Sequence, residues 1–213
     1  MRRSRVSLML PGALVAALAL AGCGGDESKG GGAPAAGPGA SAAAKLPDSS
    51  AGLESLVATW KAAHQAGDQA ALMKLAADVI PTTADLKAVL KEGAATDDFL
   101  GKFAAKDLKA DDPMIGSLAG GLFKPEKGQT EVKVHAATTE DLVAYAKGTP
   151  AFEEFPGGMQ RFAALVKPKV TWYVVELLEP GKDLGMKFTA FVHAGGRFVF
   201  VAKPWRAVAG GDK

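Results

Sequence analysis

The spacing of apolar residues changes once along this chain, near Pro125, and that change limits the fold more than any other feature. Before it, apolar residues recur every three or four positions, the period of one face of a helix. Leu53, Leu56, Val57, Trp60 and His64 form the first such stripe, with Asp48 or Ser49 able to cap its start and Gly67 placed to end it. Asp68 caps a second helix carrying Leu72, Leu75, Ala76 and Val79, which Pro81 stops. Thr82 or Thr83 opens a third with Leu86, Val89 and Leu90, and a fourth follows Thr96 with Phe99, Leu100 and Phe103. A short turn is expected from Pro113 to Leu118.

After Pro125 the period becomes two. In Thr130 to Ala136, Val132, Val134 and Ala136 share one face while Glu131, Lys133 and His135 share the other, a half-buried strand with a wet side. Thr138 with Asp141 three residues on predicts a capped helix through Tyr145. Pro150 to Gly158 reads as a loop and Met159 to Val166 as a short helix. Val170 to Leu178 is a continuous β-rich run and the best central strand. Lys187 to His193 and Arg197 to Lys203 flank Gly195-Gly196, a hairpin signal that sets His193 opposite Phe198 and Phe191 opposite Phe200. Helices first and an antiparallel sheet after define an α+β chain, its N-terminal helices packed on a curved sheet.

The N-terminus follows different rules. Arg2, Arg3 and Arg5 precede an almost wholly apolar run, Val6 to Leu20, which is shorter than the ~20 residues a spanning helix needs. Basic start, apolar run and small residues together describe a cleaved export signal. Leu20-Ala21-Gly22-Cys23 resembles the lipobox of bacterial lipoproteins. That resemblance implies a signal peptide over residues 1–22, lipid on Cys23 as the new N-terminus, and a periplasm-facing place in the bacterial cell envelope. Gly24 stands where an Asp would resemble an inner-membrane retention signal, which leans toward the outer membrane. Cys23 is the single cysteine, so its lipidation leaves no disulfide and no cysteine catalysis. Residues 23–45 are Gly-, Ala- and Pro-rich with no apolar period, a flexible linker spanning on the order of 25 Å. Residues 46–213 then form one domain, long enough to bury roughly 70% of its unfolded surface. The formal charge of +2 rests mostly on the three signal arginines. The nearly neutral remainder has no basic footprint for nucleic acid.

Two stretches resemble the nuclear-transport-factor-2-like family. Trp60-Lys61-Ala62-Ala63-His64-Gln65-Ala66-Gly67-Asp68, with Leu72 and Leu75, is similar to that family's first helix stepping into the second. Phe191-Val192-His193-Ala194-Gly195-Gly196-Arg197-Phe198-Val199 is similar to its last two strands. The resemblance implies a curved sheet cupped around the N-terminal helices as a cone, with a pocket lined by Trp60, Tyr173, Phe191, His193, Phe198 and Phe200. Similar-looking enzymes, ketosteroid isomerase and scytalone dehydratase, use cavity carboxylates or histidines as acid and base. For an enzyme of hydro-lyase or isomerase type, His193 would be the base.

Few other residues suggest chemistry. No two of the three histidines lie at a metal-ligand spacing; His64 belongs to the Trp60 stripe and His135 to the solvated side of its strand. Adjacent carboxylates at Asp97-Asp98, Asp111-Asp112 and Glu153-Glu154 diverge by about 100° on a helix and do not converge on one atom. There is no Gly-x-Ser-x-Gly elbow, and Gly116 to Gly121 lacks the Gly-Lys-Ser/Thr ending of a phosphate loop. No metal or cofactor is expected. Trp205 and Arg206 either lid the core or offer a contact patch, and Phe152 and Phe155 either plug the core or meet a partner. The expectation is a non-catalytic, lipid-anchored protein binding a partner protein or a small hydrophobic ligand. The enzyme just described and a purely structural lipoprotein are the alternatives.

Overall fold

The computed structural model describes residues 46–104 and 111–208. Cys23 and the segments expected to be an export signal and a linker lie outside them. Side-chain caps set most helix starts. Ser49 accepts from the Gly52 N–H at 3.1 Å to open α1, Ser50–Ala66, and Gly67 closes it in the left-handed region. Asp68 opens α2, Gln69–Val79. Thr82 and Asp85 form a reciprocal capping box at α3, Thr83–Val89. Thr96 caps α4, Asp97–Phe103, and Asp112 caps α5, Pro113–Gly121. The helix α5 extends beyond the expected turn despite three glycines, because Ile115 and Ala119 bury one side of it.

The strands β1, Glu131–Thr138, β2, Thr171–Leu178, β3, Met186–Ala194, and β4, Arg197–Phe200, form an antiparallel sheet in the order β1-β2-β3-β4. Between β1 and β2 lie α6, Thr139–Ala144, α7, Pro150–Glu154, and α8, Gly158–Ala163. Here α7 replaces the expected loop, since Pro150 at its first turn is pre-set for a helix. A 3-10 turn, Pro204–Ala207, follows β4. His193 pairs with Phe198 and Phe191 with Phe200, the register expected for a two-residue turn at Gly195-Gly196, both of positive φ.

Helices cover both faces of this sheet. On one face α1, α2 and α5 pack Leu53, Trp60, Leu75 and Ile115 against Tyr173, Val175, Phe191 and Phe198. On the other, α3, α4 and α6 to α8 pack Leu86, Phe99, Leu142 and Phe162 against Trp172, Val174 and Val192. β2 is accordingly buried nearly end to end, as its continuous apolar run requires. Among the described residues no helix is long and apolar enough to cross a membrane.

Candidate functional site

Strand alternation puts His135 of β1 on the face away from α1, the side expected to be wet. Glu131 and Lys133 are exposed as expected, but α7 covers this face at His135. The register then sets Lys133 opposite Glu176 of β2, and Glu176 opposite Lys187 of β3, all on this same face. His135 is the diagonal neighbour of Glu176, within reach of a long side chain. From above, α7 adds Glu154.

Four of these side chains, His135, Glu176, Glu154 and Lys187, converge. His135 Nε2 lies 3.4 Å from Glu176 Oε2 and 3.7 Å from Glu154 Oε2. Lys187 Nζ donates to Glu154 Oε2 at 2.6 Å and stands 3.9 Å from Glu176 Oε1. Glu176 is only 3% exposed, a carboxylate placed deep in a core strand. Its Oε1 is held at 3.0 Å by the backbone N–H of Gly185. A Cβ at Gly185 would overlap the Leu177 carbonyl, so only glycine lets that N–H come so near. Burying a carboxylate is costly unless it is paired and hydrogen-bonded, and here Lys187, His135 and an N–H gather round it. Chemically the cluster presents two carboxylates and an imidazole to one small volume, a set able to hold a cation.

The residues singled out in the sequence lie elsewhere. Trp60, Tyr173, Phe191 and Phe198 are buried and packed together, with Phe123 stacked on Phe191 and edge-on to Trp60, so side chains fill the face where a pocket was expected. Phe200 is half-buried against the same group. His193 packs edge-on to Phe198, and its Nε2 meets the Leu46 carbonyl at 3.1 Å. The Tyr173 hydroxyl donates to Asp48 at 2.8 Å. Burial, and then that carboxylate, push the Tyr173 phenol well above its ordinary range. His64 Nε2 meets the Leu122 carbonyl at 3.0 Å. The expected partner patch is divided: Phe155 is buried, Trp205 packs tightly on Gly158, and Phe152 and Arg206 face solvent. The Tyr145 hydroxyl, its pKa raised by burial, donates to the Phe155 carbonyl at 2.7 Å.

Sequence reasoning missed Glu176, Glu154 and Lys187 as a group. One signal was present: a lone carboxylate inside the apolar run Val170 to Leu178. A charge in a strand buried on both sides needs partners, and those partners are distant in sequence. The chain matches no protein-family model, no curated protein and no solved structure.

Proposed function

We propose that this is a lipid-anchored protein of the bacterial cell envelope, held through Cys23, whose domain binds a partner protein or small ligand at its surface without catalysing a reaction. The observation that carries the reading is the single cysteine, set at the end of an apolar run and followed by a linker that leads straight into the domain. The way the domain receives that linker supports it. His193 grips the Leu46 carbonyl and Tyr173 grips Asp48, so two strands hold the first residues of the domain before α1 begins. A pull along the linker then falls on the sheet rather than unwinding α1. The same contact supports a fastening role for His193 in place of a general base. The filled aromatic face favours surface recognition over an internal cavity.

The finer fold assignment belongs to this proposal. The step from α1 to α2 at Gly67-Asp68, and α1 lying over Tyr173, Phe191 and Phe198, favour a nuclear-transport-factor-2-like arrangement with its cone filled. Gly24, standing where an Asp would resemble an inner-membrane retention signal, favours the outer over the inner membrane. Fractionation of cells expressing the full chain tests the anchor. The wild-type chain is expected in the membrane fraction and in the detergent phase on Triton X-114 partition, shortened by residues 1–22, with Cys23→Ser left at full length because the leader is exchanged only for lipid on that cysteine. A wild-type chain that is soluble, or a Cys23→Ser chain that stays with the membrane in processed form, refutes the reading.

A further inference from the structure

We infer that His135, Glu154 and Glu176 form a binding site for a divalent transition-metal cation of the zinc type, with Lys187 as the cation that occupies Glu154 when the metal is absent. The inference concerns the folded domain and stands apart from the anchor.

The ligand atoms come from three separate elements, β1, α7 and β2, and all lie within 4.8 Å of one another. Among the described residues, this is the group in which three ligand-type side chains meet in that way. The spacing is informative. Zinc bonds nitrogen and carboxylate oxygen at about 2.0–2.1 Å, so adjacent ligands of a tetrahedral ion stand about 3.4 Å apart. The two edges that meet at His135 Nε2 measure 3.4 and 3.7 Å. A charge-assisted imidazole–carboxylate bond would close to about 2.7–2.9 Å. His135 therefore stands off from both carboxylates by a distance that suits a shared ion better than a direct bond.

Glu176 supplies the second argument. It is nine-tenths buried, yet its Oε2 faces into the cluster, 3.4 Å from His135 Nε2. Its other oxygen is turned and fixed by the Gly185 N–H, the kind of outer hydrogen bond that orients a metal-binding carboxylate. The side chains of His135 and Glu154 are about one-fifth exposed, which leaves a path for the ion and a fourth position open to water or another ligand. An imidazole beside two carboxylates suits zinc and its neighbours better than calcium or magnesium, which take oxygen ligands alone. Lys187 is the competitor: its ammonium already sits on the Glu154 oxygen that the metal would take, and a side chain 30% exposed has room to swing out.

Calorimetric titration of the metal-free full chain, purified in detergent, with zinc chloride tests this directly. One ion per chain is expected, and cobalt substitution should give the intense visible bands of a four-coordinate site. His135→Ala and Glu176→Gln should each weaken binding by at least tenfold, with circular dichroism confirming that both variants fold. Lys187→Gln should bind more tightly than wild type, because the rival cation is gone. A salt bridge with no metal role forecasts no change. No saturable zinc binding by the wild-type chain, or affinity unchanged in both His135→Ala and Glu176→Gln, overturns the site. Affinity unchanged in Lys187→Gln overturns Glu154 as a ligand.

Discussion

Tyr173 shows how one side chain can serve both the core and the chain's point of entry. Its ring lies edge-on to Phe198 and its hydroxyl reaches Asp48. Because the folded state raises its pKa above the ordinary 10.0, the neutral phenol is the form that folding favours. The stability this contributes is intact below about pH 10 and is lost as the pH climbs through the raised folded value. Tyr173→Phe should cost about 1 kcal/mol at neutral pH for the lost hydrogen bond. Urea unfolding repeated above pH 10 should show wild type losing stability more steeply than the variant; parallel curves would refute the linkage. Gly185 makes an equally local prediction. A methyl group there collides with the Leu177 carbonyl, so Gly185→Ala should destabilise by about 2 kcal/mol or more and release Glu176 from its N–H. Thermal melts check the first effect. At this scale the sequence was legible wherever a residue's partner is a near neighbour, as at Ser49, Asp68 and Thr138. It was opaque at Glu176, whose partners His135 and Lys187 are set by strand register.

Among the elements, β3 is the one whose behaviour period alone misjudges. A bulge at Ala190, φ 76°, adds one residue opposite β2 and reverses the alternation. Phe188 and Phe191 thereby face the same side, both against Phe123, whereas strict alternation would part them. The same shift sends Lys187 to the opposite face, beside Glu176. No turn residue announces the bulge, so nothing in the local sequence reveals it. The start of α7 was also missed, since Thr149 opens it without a side-chain cap bond. The joint at β4 is a further case of long-range pairing. Arg197 donates to the Asp78 and Ile80 carbonyls and pairs with Asp85 at 2.6 Å, tying the end of α2 and the start of α3 to the sheet. Asp85→Ala leaves a largely buried guanidinium without its counter-charge and also breaks the α3 capping box. A loss of about 3–5 kcal/mol is expected in denaturant titration, against about 1 kcal/mol for Thr138→Ala, which removes a cap alone. Similar losses for the two would mean that the Arg197 pair carries no special weight.

For the whole molecule, the period change near Pro125 forecast the α+β class, with helices first and an antiparallel sheet after. It did not forecast that helices would cover both faces of the sheet. The reason is local: on the face of β1 away from α1, Glu131 and Lys133 are exposed and His135 alone of the three lies against α7, so the alternation reads as a wet side throughout. A filled aromatic face, a fastened entry segment and a polar cluster under α7 together describe the domain, and residues 1–45 carry the proposed leader and linker. The function proposed for it depends on that leader being exchanged for lipid. The most direct test is mass spectrometry of the N-terminal peptide released from the membrane-extracted chain. The account predicts a peptide beginning at Cys23, its mass raised by a diacylglyceryl group with or without a further acyl chain on the amine. A mature chain beginning at any other residue, or one that retains residues 1–22 with an unmodified Cys23, would contradict it.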